Sequence, residues 1–186
     1  MTVTLREVPL REKSIVFIGF MGVGKTTIGK LVAKKLYRDF IDIDQVIEEE
    51  YGAPTSEIFK QIGEKAFRAK EKEVITELSK KKLSVLSLGG GAFLQEDIRE
   101  ACLKNCIVFF LDLSWEYWKD RISLIIDSRP VLQGRNIDEI LELFNSRQEI
   151  YQYHHSKVKT DTQEADEIAD YIVDSLKVAW DIYEPR

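Results

Sequence analysis

Short, nearly continuous apolar runs alternate along this chain with longer stretches whose apolar residues recur every three or four positions. The runs fall at 15–18, 40–43, 84–88, 106–111 and 157–160. The first four lack the apolar–polar alternation of a strand with one wet face, so they predict strands covered on both sides. Between them the period changes. Ile28, Leu31, Val32 and Leu36 make a helical stripe. A second helix is expected over 44–50, ended by Gly52-Ala53-Pro54. Thr55 or Ser56 would cap a third helix carrying Ile58, Phe59 and Ile62, and Gly63 separates it from a longer one reaching Lys80. Ser114 would cap a helix over 115–122; Ile140, Leu141, Phe144 and Ile150 mark the apolar side of 137–154; a last helix covers about 164–180. Strand and helix in alternation imply an α/β fold with a parallel sheet and right-handed crossovers. Ligands then bind at the carboxyl ends of the strands.

Composition narrows the class without changing this picture. The 186 residues suffice for one domain, 1–186, with 1–13 as an N-terminal extension and 123–136 as a mobile connection. A net charge of −5 argues against nucleic-acid and anionic-membrane partners. No apolar run approaches the roughly 20 residues of a membrane span. Arg6, Glu7, Arg11, Glu12 and Lys13 leave no apolar core for a signal peptide, so a cytoplasmic location is expected. Cys102 and Cys106 lack the partners of a zinc site and are expected to pack. The charge runs at 48–50 and 80–82 are expected on solvated faces, and His154 and His155 at a helix end as partners of its dipole.

The first apolar run ends in Gly19-Phe20-Met21-Gly22-Val23-Gly24-Lys25-Thr26, a G-x-x-x-x-G-K-T loop between a buried strand and a helix. Glycines let backbone N–H groups close around phosphate oxygens, and the helix N-terminus adds positive potential. Lys25 is expected at the β- and γ-phosphates, and the Thr26 hydroxyl on Mg²⁺. Three further segments fall at strand ends. In Asp42-Ile43-Asp44, strand alternation would put both carboxylates on one side, where each needs a cation; the competing explanation is a helix cap at Asp44. Gly89-Gly90-Gly91 would let a ligand approach backbone amides. Arg68, Arg121, Arg129 and Arg147 could each be a surface residue, Arg68 paired with Glu64 and Glu71. Together with a phosphate loop they suit phosphoryl transfer, where positive groups meet spreading charge.

Six motifs in order give the chain a family resemblance: G-F-M-G-x-G-K-T-T at 19–27, F-x-D-x-D at 40–44, G-E-x-x-F-R-x-x-E at 63–71, G-G-G at 89–91, R-P-x-L at 129–132 and R-x-x-x-Y at 147–151. The chain resembles the shikimate kinases, over almost all its length. The resemblance implies a three-layer P-loop fold of the nucleoside-monophosphate-kinase type, with five parallel strands in the order 2-3-1-4-5. It implies transfer of the ATP γ-phosphate to the 3-hydroxyl of shikimate, with Mg²⁺ as cofactor, in a monomer. By its implication Gly22, Val23, Gly24, Lys25, Thr26 and Thr27 bind the phosphates, and Thr26 and Asp42 serve the metal. Asp44 holds shikimate hydroxyls and is the base. Arg68 and Arg147 clamp the carboxylate, Glu71 orients Arg68, and Gly89, Gly90 and Gly91 form the acceptor loop. Arg129 reaches the transferred phosphate from a lid over 123–136, while Arg121 and the turn at 162–165 flank the adenine. The chain departs from the family pattern at His155-Ser156, where Ala-Asp is usual, and in a less basic lid. It also lacks the proline common in the nucleotide-side turn. A kinase for another hydroxy acid such as gluconate, or a non-catalytic nucleotide-binding module, is the alternative. Neither D-x-x-G nor N-K-x-D of a GTPase occurs.

Overall fold

A computed structural model describes residues 8–126 and 129–184. Much of 1–13, together with Asp127 and Ser128 of the expected lid, lies outside the described residues. Five strands make one parallel sheet: β1 (Ile15–Ile18), β2 (Asp39–Asp42), β3 (Ser84–Ser87), β4 (Ile107–Asp112) and β5 (Ser156–Lys159), in the order β2-β3-β1-β4-β5. Register is continuous across the centre, with Val16 beside Leu86 on one side and Val108 on the other. Every residue of β1 and β3 is buried, which is why those runs show no alternation.

Right-handed crossovers fix the layers. The step from β1 to β2 passes leftward and puts α1 (Lys25–Leu36) on one face. The later steps pass rightward and put α3 (Thr55–Leu78) and α4 (Glu96–Asn105) on the other. The last helix, α8 (Ala165–Tyr183), returns to pack on α1 and buries Ile168, Ile172, Val173 and Leu176. Because consecutive connections from β1 and β3 leave toward opposite faces, a crevice opens at the carboxyl ends of these two neighbours.

Several local expectations change. The second helix, α2 (Ile43–Tyr51), begins directly where β2 ends, so Asp44 lies in the helix and strand alternation does not relate it to Asp42. Asp42, not Asp44, is the cap: its carboxylate accepts N–H bonds from Asp44 and Gln45. Gly63 divides α3 with φ 79 and ψ 163, so two helical segments meet at an angle. Glu48 is not merely solvated. Its carboxylate accepts from the Thr55 N–H and hydroxyl, at 2.7 and 2.8 Å, and so secures the start of α3. The expected helix over 137–154 ends sooner, as α7 (Ile137–Tyr151). Of the two histidines beyond it, His155 is not a dipole partner. His155 continues the sheet edge, its N–H bonded to the Val108 carbonyl and its Nδ1 accepting the Val108 N–H. Burial lowers the pKa of both rings, keeping them neutral. The stretch 123–136 contains regular turns: α6 (Ile122–Ile125) and a 3₁₀ turn at Pro130–Leu132. Cys102 and Cys106 are buried, free thiols, as packing residues should be.

Candidate active site

The glycine loop leaves β1 and turns back on itself before α1. Gly19 runs at φ 146 with its backbone against Leu111; a Cβ there would lie 2.6 Å from the Leu111 carbonyl oxygen. Gly22 and Gly24 have φ 75 and 100, a region that L-residues avoid. No acidic residue belongs to the first turn of α1 itself, so the positive end of the helix dipole points toward the loop. Lys25 opens that helix. Its ammonium donates to the carbonyls of Gly19 and Phe20 at 2.9 and 2.8 Å. Burial and the Arg129 charge hold its pKa down to about 7, opposed by Asp44 and Asp42.

Thr26 donates its hydroxyl proton to Asp42 Oδ2 at 2.6 Å. The other Asp42 oxygen receives the capping N–H groups of α2. The sequence motif at 40–44 thus does two jobs: Asp42 serves the helix and Thr26 together, and Asp44 projects into the crevice. Asp44 Oδ2 lies 3.2 Å from Arg129 Nη1. Its Oδ1 lies so close to Gly89 that a Cβ there would approach to 2.7 Å. Burial raises the Asp44 pKa, Arg129 pulls it back, and Asp42 raises it further.

The far side of the crevice holds two arginines from distant helices. Arg68, half-buried on α3, donates to Glu71 Oε2 at 2.6 Å and is not a free surface residue. Glu71 is buried, and Gln95 donates to the same oxygen at 3.3 Å. Desolvation pushes the Glu71 pKa up to about 7, against the pull of Arg68. Arg147 projects from α7 and is only 6% exposed. Its guanidinium stacks over Phe20, 5.5 Å from the ring centre, and its Nε is buried with no hydrogen-bond partner. Such a group calls for an anion or acceptor in the neighbouring cavity. Tyr151, one turn on, donates its hydroxyl to the Gly90 carbonyl.

Two cavities meet here. One, of about 660 Å³, is lined by Gly22, Gly24, Lys25, Thr26, Thr27 and Asp42. The other, of about 530 Å³, is lined by Phe59, Phe67, Arg68, Glu71, Gly91 and Arg147, among others. Met21, Asp44, Gly89, Gly90 and Arg129 belong to both walls. The structure therefore brings together residues singled out at the ends of β1, β2 and β3 with Arg68 of α3, Arg147 of α7 and Arg129. Arg121 lies apart from the shared wall; its Nη1 donates to the Gly22 carbonyl at 3.3 Å. The turn at 162–165 leads into α8 beside the end of β4, where Asp161 accepts the Ser114 N–H at 2.7 Å. Sequence reasoning missed Phe59, Leu94, Gln95 and Val131, which also line the second cavity. Single residues on a helix or a short turn, three of the four apolar, carry no signal that distinguishes a pocket wall from core.

Comparison with known proteins adds an independent line. A family model described as shikimate kinase matches residues 21–177. The shikimate kinase of Oceanobacillus iheyensis is 62% identical, covering 95% of this chain and 97% of that protein. That of Bacillus subtilis is 58% identical, covering 97% of each. Among solved structures, shikimate kinase from Acinetobacter baumannii in complex with shikimate superimposes with a TM-score of 0.84 at 34% identity, covering 90% of this chain and 94% of that one.

Proposed function

The chain belongs to the shikimate kinase family, and from that premise we propose that it moves the γ-phosphoryl group of ATP onto the 3-hydroxyl of shikimate. The observation that carries the residue assignment is the shared wall of the two cavities, where a carboxylate and a guanidinium sit between the phosphate loop and a two-arginine pocket. In this reading the triphosphate lies on the amides of Gly22 to Thr27, and the shikimate carboxylate lies between Arg68 and Arg147. Planar guanidinium forks suit a carboxylate. The apolar faces of Phe59 and Val131 beside them fit a carbocyclic ring better than an open-chain acid such as gluconate.

The acceptor hydroxyl oxygen forms the new bond to the γ-phosphorus as the bond to the β-phosphate oxygen breaks. ADP departs, and the hydroxyl proton passes to Asp44. The raised pKa of Asp44 suits a proton acceptor. Lys25 and Arg129 face the charge that spreads over the phosphoryl oxygens. Thr26 and Asp42 fit Mg²⁺, since the Thr26 hydroxyl gives its proton to Asp42 and keeps its lone pairs for a hard cation. When bound, the ion neutralises charge between the β- and γ-phosphates. The segment 123–136 acts as the lid that carries Arg129.

Steady-state kinetics of Asp44→Asn test the assignment. The variant should lose on the order of 10²-fold or more in kcat, with the ATP KM little changed. Turnover near the parent's would remove Asp44 from the reaction. No shikimate-dependent ADP release by the parent would remove the proposed reaction itself.

A further inference from the structure

The phosphate loop presents four successive backbone carbonyls, and each has a donor. Lys25 takes those of Gly19 and Phe20 from inside the loop. The other two are held from behind. The Trp118 indole N–H donates to the Met21 carbonyl at 2.6 Å, and Arg121 donates to the Gly22 carbonyl at 3.3 Å. Trp118 belongs to the short helix α5 (Trp115–Lys119) that follows β4 and is fully buried. It meets Phe20 edge-on at 4.9 Å and stacks on Trp115 at 5.4 Å.

We propose that Trp118 is a positioning residue for nucleotide binding, which holds the phosphate loop's amides toward the triphosphate by fixing the Met21 carbonyl behind them. In a trans peptide the carbonyl of one residue and the N–H of the next point in opposite directions. A donor behind the Met21 carbonyl therefore aims the Gly22 N–H away from Trp118, and both Met21 and Gly22 line the phosphate cavity. The loop needs an outside anchor because Gly22, at φ 75, has no side chain to restrict it. Lys25 cannot be that anchor, since the proposed reaction turns its ammonium toward the phosphates. Trp118 can, because its ring is clamped by Phe20, Trp115 and Phe144 and is not itself among the residues that line the phosphate cavity.

The inference rests on the nucleotide reading above, and its test separates the two. ADP affinity is measured by calorimetry with Mg²⁺ for the parent, for Trp118→Phe, and for a protein with benzothienylalanine at position 118. That residue keeps the ring shape and replaces the indole N–H with sulfur, which guards against simple misfolding of the Phe variant. Trp180→Phe serves as the control, because it removes another buried indole, one that packs against Arg11 and Arg38. Loss of one buried hydrogen bond should weaken ADP binding about three- to tenfold in both position-118 proteins. The shikimate KM should move less than about twofold, and Trp180→Phe should melt earlier while binding ADP like the parent. Unchanged ADP affinity in the benzothienylalanine protein, or an equal loss in Trp180→Phe, overturns the positioning role. A parent that binds no ADP overturns the nucleotide reading on which the role depends.

Discussion

Arg147 combines near-complete burial with an unpartnered Nε, so its guanidinium, steadied by Phe20 and Tyr151, keeps one donor for an anion that enters the cavity. Replacing it by lysine keeps the charge and removes the planar fork. Arg147→Lys should therefore raise the shikimate KM on the order of tenfold while the ATP KM changes little. Equal effects on both substrates in steady-state kinetics would place Arg147 outside the acceptor pocket. Glu71 poses a pH question. Its carboxyl titrates near 7 when folded, against an ordinary value of 4.5. Between these values the native protein holds a proton that the unfolded chain has released, so stability falls as pH rises through that window. Above pH 7 the charged carboxylate orients Arg68, and the parent's shikimate KM should be lower there than at pH 6. Glu71→Gln should flatten both trends. A variant whose shikimate KM still changes with pH as the parent's does would show that another group sets it.

At the level of elements, the bend in α3 places Arg68 and Glu71 on the wall of the acceptor cavity. Gly63 makes the bend at φ 79 and ψ 163, and nothing lies within 4 Å of where its Cβ would be. Gly63→Ala thus meets no clash but a backbone conformation that alanine resists. It should destabilise the protein by about 1–3 kcal/mol in urea unfolding. A loss near zero would mean that the two segments can straighten into one helix without cost. This bend was legible in Gly63 itself, which separates two helical stretches of the sequence. So was β1, because four consecutive apolar residues before a glycine loop leave few alternatives. Asp44 was harder to place. Nothing in Asp42-Ile43-Asp44 says whether the strand continues to the second carboxylate or the helix begins before it, and the helix won because Asp42 itself supplies the cap. Long-range hydrogen bonds were not legible at all. His155 to Val108, Tyr151 to Gly90 and Trp118 to Met21 span 47, 61 and 97 positions. Only the folded sheet order brings such pairs together.

For the molecule as a whole, strand order explains why one site gathers residues from so many segments. The phosphate loop follows β1 and the acceptor glycines follow β3, and these strands are direct neighbours. A Cβ on Gly90 would approach the Met21 amide nitrogen to 3.1 Å, so the two loops touch. The two cavities therefore share a wall, the arrangement that the proposed direct transfer requires. Among the described residues no helix is long and apolar enough to cross a membrane. The central claim is direct phosphoryl transfer from ATP to shikimate at that wall. Phosphorus NMR of the product tests it, with purified protein, ATP and Mg²⁺ offered shikimate, quinate or gluconate in separate reactions. The account predicts one new phosphomonoester signal with shikimate, coupled to the proton at carbon 3, in step with ADP release. Quinate and gluconate should give rates at least about tenfold lower, since one missing or misplaced polar contact costs that much. A phosphomonoester formed faster on gluconate or quinate, or ADP release with inorganic phosphate as the only product, would contradict it.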